Sequence, residues 1–146
     1  MKKQLKLSDY KVQKDIEVQW GDMDAAQHVN NVKYMRWGET ARINYFDEMG
    51  CDVTPAGNDA GFILGWQDCK YIFPVTYPDT IRIGVRVTDI GEDRFSMECA
   101  MFSEKHERLV ALAKQVVVTY DYVNLKKVPV SEKIKHAIEK LEGKEF

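Results

Sequence analysis

From Val12 onward the chain alternates. Val12, Ile16, Val18 and Trp20 stand against Gln13, Asp15, Glu17 and Gln19, the period of a half-buried strand. After an acidic turn the period changes. Across residues 31–49, Tyr34, Met35, Trp37, Ala41, Tyr45, Phe46 and Met49 make a broad apolar face at helical spacing. Lys33, Arg36, Thr40, Asn44 and Asp47 lie opposite. Asn30 or Asn31 suits the N-cap of this helix and Gly50 its C-terminal stop. Gly38 falls on the apolar side, where a glycine costs about 1 kcal/mol and is expected to serve close backbone packing. Arg42, at the edge of that face, needs a partner if buried. Glu39, three residues back, is the expected one.

Residues 51–61, rich in Gly, Pro, Asn and Asp, read as a loop. Four strand-like runs follow, over 62–73, 80–90, 94–104 and 109–122. Pro74 and Pro78, Gly91-Glu92-Asp93 and Lys105-His106-Glu107 mark the turns. Ser131 caps a short C-terminal helix with Ile134, Ile138 and Leu141 on one side. The order is strand, long helix, four strands, short helix. Short connections predict antiparallel pairing among the last four strands. A sheet must cover its apolar face, and only helix 31–49 is large enough to do so. The prediction is a single α+β domain over residues 1–146: an antiparallel sheet wrapped around one long helix, with a short C-terminal helix.

Composition narrows the partners. The chain has 146 residues, enough for one core, and a net charge of −2, which gives no global field for nucleic acid. Arg82, Arg86, Arg94 and Lys105 lie on or beside the middle strands, where they suit either anionic phosphates or a solvated strand face. No apolar run approaches the roughly 18–20 residues of a membrane span. The first residues, Met-Lys-Lys-Gln-Leu-Lys-Leu-Ser, lack the apolar region of a secretory signal. Cys51, Cys69 and Cys99 are far apart and have no metal-ligand spacing, which fits reduced thiols in a cytoplasmic protein. Cys69 and Cys99 read as small buried hydrophobes. His106 and His136 are expected at the surface.

The candidate chemistry lies in residues 20–31, Trp-Gly-Asp-Met-Asp-Ala-Ala-Gln-His-Val-Asn-Asn. This segment brings a carboxylate and an imidazole beside a helix start, where free backbone N–H groups hold negative charge. A base next to an oxyanion site is apparatus for attacking a carbonyl. Asp24 is either that base or the plain acceptor of an Asx-turn. In extended chain Asp22 points to the opposite face, so a structural hydrogen bond is its expected role. Two carboxylates without further ligands make a poor metal site, and neither a metal nor a cofactor is expected. His28 either positions a carbonyl or water, or shapes the turn. Asn31 would contribute through its backbone N–H. The serines and threonines have no His/Asp partner at recognisable spacing.

These blocks together resemble the hotdog-fold acyl-CoA thioesterases of the 4-hydroxybenzoyl-CoA thioesterase-like family. The resemblance is carried by Trp20, Asp22-Met23-Asp24, His28-Val29-Asn30-Asn31, Tyr34 and Glu39-Thr40-Ala41-Arg42. Tyr71-Ile72-Phe73-Pro74 and Asp79 add a weaker second block. Many family members carry glycine or arginine just before the histidine, where this chain has Gln27. The resemblance implies that Asp24 is the catalytic carboxylate, acting on water or on the thioester itself. It implies that the N–H groups near Asn31 polarise the thioester carbonyl, and that the active site lies between subunits. A subgroup of such proteins uses a helix-borne glutamate, but with Asp24 in the turn, Glu39 is expected to be structural.

The function expected is hydrolysis of an acyl-CoA thioester to a free acid and coenzyme A. Asp24, His28 and Asn31 form the catalytic set, and Tyr34 and Trp37 border the acyl group. An acyl carrier protein thioester is the alternative donor. Edge strands and a half-exposed helix suggest a homodimer or homotetramer. The rival readings are a hotdog hydratase or dehydratase and a module that binds acyl thioesters without cleaving them.

Overall fold

The computed structural model describes residues 4–51 and 60–146, so most of the loop expected over 51–61 lies outside the described residues. Among the described residues six strands form one antiparallel sheet: β1 (Val12–Glu17), β2 (Gly61–Tyr71), β3 (Thr80–Ile90), β4 (Arg94–Ser103), β5 (Arg108–Asp121) and β6 (Lys126–Lys127). The helices are α1 (Asn31–Met49) and α2 (Glu132–Glu142).

Helix α1 starts and stops where its sequence directs. Asn30 is the N-cap, and its side-chain oxygen accepts from the Val32 N–H at 3.0 Å. Gly50 ends the helix at φ +75°, a backbone state that costs glycine nothing. Tyr34, Trp37, Gly38, Ala41, Arg42, Tyr45 and Phe46 are buried against the sheet. The Phe46, Phe62 and Phe95 rings meet at 4.5–6.3 Å between centroids. A Cβ on Gly38 would lie 3.0 Å from Gln115 Nε2, so the glycine does serve close packing. At the far end, Ser131 caps α2 through the Ile134 N–H. Glu142 then accepts from the Tyr45 hydroxyl at 2.6 Å and the Val87 N–H at 3.0 Å, fastening α2 to both α1 and β3. Among the described residues no helix is long and apolar enough to cross a membrane.

The strand order is β1-β3-β4-β5-β2, with β6 on β5. The last four strands pair antiparallel, as expected, but not in chain order. Strand β2 does not pair with β3; it pairs with β5, from Gly61↔Tyr120 to Tyr71↔Ala111, and β1 takes the place beside β3. The reason lies in residues 72–79. Pro74 and Pro78 lack N–H groups, so this stretch cannot make a regular ladder. Its bonds go elsewhere. The N–H groups of Ile72 and Phe73 reach Val110 O, the Val75 carbonyl accepts from Val29 at 2.9 Å, and the Asp79 carbonyl accepts from Val18 at 2.9 Å. The segment therefore passes under the start of α1 instead of turning back on β2. It leaves β2 as an edge with Ile63, Leu64 and Trp66 exposed.

The first strand also ends earlier than its alternation suggests. It stops at Glu17, and Trp20–Asp22 form a short 3₁₀ turn. Asp22 Oδ2 accepts from the Gln19 N–H at 2.8 Å, which closes that turn.

Candidate active site

The 3₁₀ turn leads into a tight polar loop. Met23 and Val29 form an isolated antiparallel bridge that closes residues 24–28 into a loop. Inside it the Asp24 N–H donates to His28 O at 3.1 Å, and the Gln27 N–H donates to Asp24 O at 2.9 Å. Asp24 Oδ1 accepts from the Ala26 N–H at 2.9 Å. Its other oxygen has no hydrogen bond among the described residues. The turn forces Gln27 to φ +63°, a left-handed state that favours glycine.

Asp24 is exposed and lines a cavity of about 440 Å³ together with Trp20, Met23, Gln27, Thr76 and Tyr77. Trp20 is 73% exposed and Tyr77 46%, so two aromatic rings flank the carboxylate in the open. Beside this loop α1 begins. The Asn30 N–H donates to Asp22 O at 3.0 Å, and Asn30 itself satisfies the N–H groups of Val32 and Lys33. The Asn31 N–H is then the first helical donor without a partner among the described residues, and it sits at the positive end of the helix dipole.

The expected site residues are thus placed at two depths. Asp24 is on the cavity wall. His28 is exposed on the same loop and gives its carbonyl to Asp24, but its side chain is not part of the cavity lining. Asn31 follows two residues after the bridged Val29. Tyr34 and Trp37 are buried, at 4% and 5% exposure, with rings 5.0 Å apart. Burial holds the Tyr34 hydroxyl pKa above its ordinary value. Tyr71 stands edge-on to Tyr34 at 5.1 Å and donates its hydroxyl to Asn31 O at 3.3 Å, joining the β2 edge to the helix start.

Asp22 has the structural role expected of it: it caps the 3₁₀ turn and lies 3.7 Å from Lys33 Nζ. The expected Glu39–Arg42 pair does not form. Glu39, half exposed, bonds Arg36 at 2.6 Å on the solvent side of α1. Arg42 is buried at 8% exposure, its Nη1 has no hydrogen-bond partner, and burial lowers its pKa. An exposed arginine reaches a surface carboxylate without desolvating it, so Arg36 wins the contest. Arg82, Arg86 and Arg94 are each paired with a neighbouring carboxylate.

Two cavity residues carry no mark in the sequence. Thr76 and Tyr77 arrive through the crossover of residues 72–79, which a consecutive strand order hides. Gln27 differs: its place just before His28 marked it in the sequence.

Comparisons with known proteins identify the family and the fold. A family model described as the thioesterase-like superfamily matches residues 18–138. Among curated proteins no match is found. Among solved structures, the PA5185 protein from Pseudomonas aeruginosa is 27% identical over 92% of this chain and 94% of its own, with a TM-score of 0.80. A thioesterase from Thermus thermophilus, solved with coenzyme A and zinc, is 25% identical over 94% and 98% of the two chains, with a TM-score of 0.81. A 1,4-dihydroxy-2-naphthoyl-CoA thioesterase from Synechocystis shares the fold, at 17% identity over 87% and 94% and a TM-score of 0.78.

Proposed function

The chain belongs to the thioesterase-like superfamily and is a thioester hydrolase of the hotdog fold; from that premise we propose that it cleaves acyl-CoA with Asp24 as the general base. The observation that carries this reading is the position of Asp24. One carboxylate oxygen is fixed by the Ala26 N–H, the other is unengaged, and the side chain opens on a cavity, while its loop runs through the bridged Val29 into the start of α1. Asp24 takes a proton from water as the water oxygen attacks the thioester carbon. The Asn31 N–H, at the positive end of α1, stabilises the oxyanion as it forms. Collapse of that intermediate breaks the C–S bond, and the proton held on Asp24 passes to the departing thiolate. His28 shapes the loop that holds the base, its carbonyl accepting from the Asp24 N–H. Tyr34 and Trp37 form the buried wall behind Tyr71 against which the acyl group ends. Coenzyme A as the donor is supported by its presence in the Thermus thioesterase.

A second copy of the chain completes the seam. The exposed Ile63, Leu64 and Trp66 on an edge strand with free backbone groups favour pairing between two β2 edges, with the pantetheine arm entering along that contact.

Asp24→Asn tests the chemistry. It keeps the shape and the acceptor for the Ala26 N–H but removes the base. Thiol release from a panel of acyl-CoA esters should fall by roughly 10²–10⁴-fold at unchanged melting temperature. Wild-type turnover in the variant, or acyl-CoA recovered intact with the wild-type protein, overturns the proposal. A single turnover in ¹⁸O-water should place the label in the acid product. Label found instead on Asp24 after repeated turnover would mean that its carboxylate attacks the thioester directly.

A further inference from the structure

Gln27 holds a backbone conformation that its side chain does not favour. At φ +63° a glycine, or an asparagine through local hydrogen bonding, would sit with less strain. A residue kept in a strained state beside a reactive group points to a use for its side chain. Two further observations agree. Its N–H is tied to Asp24 O at 2.9 Å, which holds the two residues in one turn. Its side chain lines the same cavity as Asp24 and, among the described residues, makes no hydrogen bond within the chain.

We infer that Gln27 is a positioning residue that orients the hydrolytic water for Asp24, an inference that rests on Asp24 acting as the base. A water molecule between the two side chains donates one hydrogen to the free oxygen of Asp24 and the other to Gln27 Oε1. Both hydrogens are then engaged, and a lone pair is directed at the thioester carbon. In the reaction the first proton moves to Asp24, the water oxygen bonds to carbon, and the second hydrogen stays bonded to that oxygen, held by Gln27. The C–S bond breaks as before and the thiolate takes the proton from Asp24. Gln27 gains and loses nothing covalently. Its contribution is orientational, so it acts on the chemical step and not on substrate affinity.

The test uses Gln27→Gly, Gln27→Ala and Gln27→Asn, with Asp24→Asn alongside. Gly relieves the backbone strain and removes the carboxamide, Ala removes only the carboxamide, and Asn restores a shorter one in a tolerated conformation. Losing one orienting hydrogen bond should lower kcat about tenfold in the Gly and Ala variants, with KM unchanged. The Gly variant should melt at or above the wild-type temperature. The Asn variant should recover part of the rate. A purely structural residue would show the reverse, with Gly at least as active as wild type. The inference is overturned if Gln27→Gly keeps kcat within twofold, or if its loss lies in KM alone. Should Asp24→Asn retain turnover, the base assignment fails whatever Gln27 does. Should Asp24→Asn be inactive while Gln27→Gly is unimpaired, only the role of Gln27 falls.

Discussion

Gly84→Ala should be among the most damaging single-methyl additions in this protein. Gly84 lies mid-strand, paired with Gln13 on one side and Ala100 on the other, so its backbone cannot retreat. An added Cβ would overlap the Tyr10 side chain, 2.6 Å from Cδ2 and 2.7 Å from Cβ. Tyr10 must therefore leave. It is 2% exposed, donates its hydroxyl to Glu98 at 2.6 Å, and carries the Arg86 guanidinium 4.7 Å above its ring. Burying a large side chain is worth about 2 kcal/mol, a hydrogen bond to a carboxylate about 1.5, and the cation–π contact about 0.5. If the ring keeps a quarter of this in its displaced position, the loss is about 3 kcal/mol, which lowers the melting temperature by about 10 °C at this chain length. Thermal melts followed by circular dichroism measure this. The decisive comparison is the same substitution in a Tyr10→Ala background, where the obstacle is gone and the added methyl should be nearly neutral. A Gly84→Ala protein melting within 2–3 °C of wild type, or an equal loss in both backgrounds, refutes the reasoning.

Asn30→Ala should cost about 1 kcal/mol through the lost cap and should also lower turnover, because the cap fixes the direction of the Asn31 N–H; urea unfolding and kcat together check it. Asn31→Ala, which keeps that N–H, should leave kcat nearly unchanged, and a collapse in rate at constant melting temperature would give its side chain a chemical task. Stability should also fall on the alkaline side. Burial pushes the Cys99 thiol from 9.0 up to about 12, so this contribution is complete below pH 9 and is lost between pH 9 and 12, where the unfolded thiol ionises and the folded one does not. The urea midpoint should drop between pH 9 and 10.5, less steeply in Cys99→Ala, with Tyr10 and Tyr45, also pushed up by burial, supplying the remaining slope. Identical slopes in the two proteins would contradict this.

The periodic parts of the fold were legible because each is encoded locally. Tyr34, Trp37, Ala41, Tyr45 and Phe46 of the expected apolar face are buried and Gly50 stops α1, each set by its near neighbours in sequence. So were the beginnings of β3 and β4. What the sequence hides is the choice of partner. Strand β2 has the same alternation whether it lies beside β3 or β5, and only the bonds of residues 72–79 to Val110, Val29 and Val18 decide between them. The site divides in the same way. Asp24, His28 and Asn31 fall within one short stretch and could be read as a group, whereas Thr76 and Tyr77 reach the cavity only through that long-range choice. Arg42 shows a further limit: spacing put Glu39 within its reach, but exposure gave Glu39 to Arg36.

The contact between Val29 and Val75 has a practical consequence for anyone reshaping this enzyme. Because the crossover is stitched to the loop that carries the carboxylate, its length sets how far Tyr77 stands from Asp24. One residue inserted between Val75 and Asp79 would move the Tyr77 wall of the cavity relative to Asp24. The width of that cavity can therefore be changed from a stretch of chain other than the loop that holds the carboxylate.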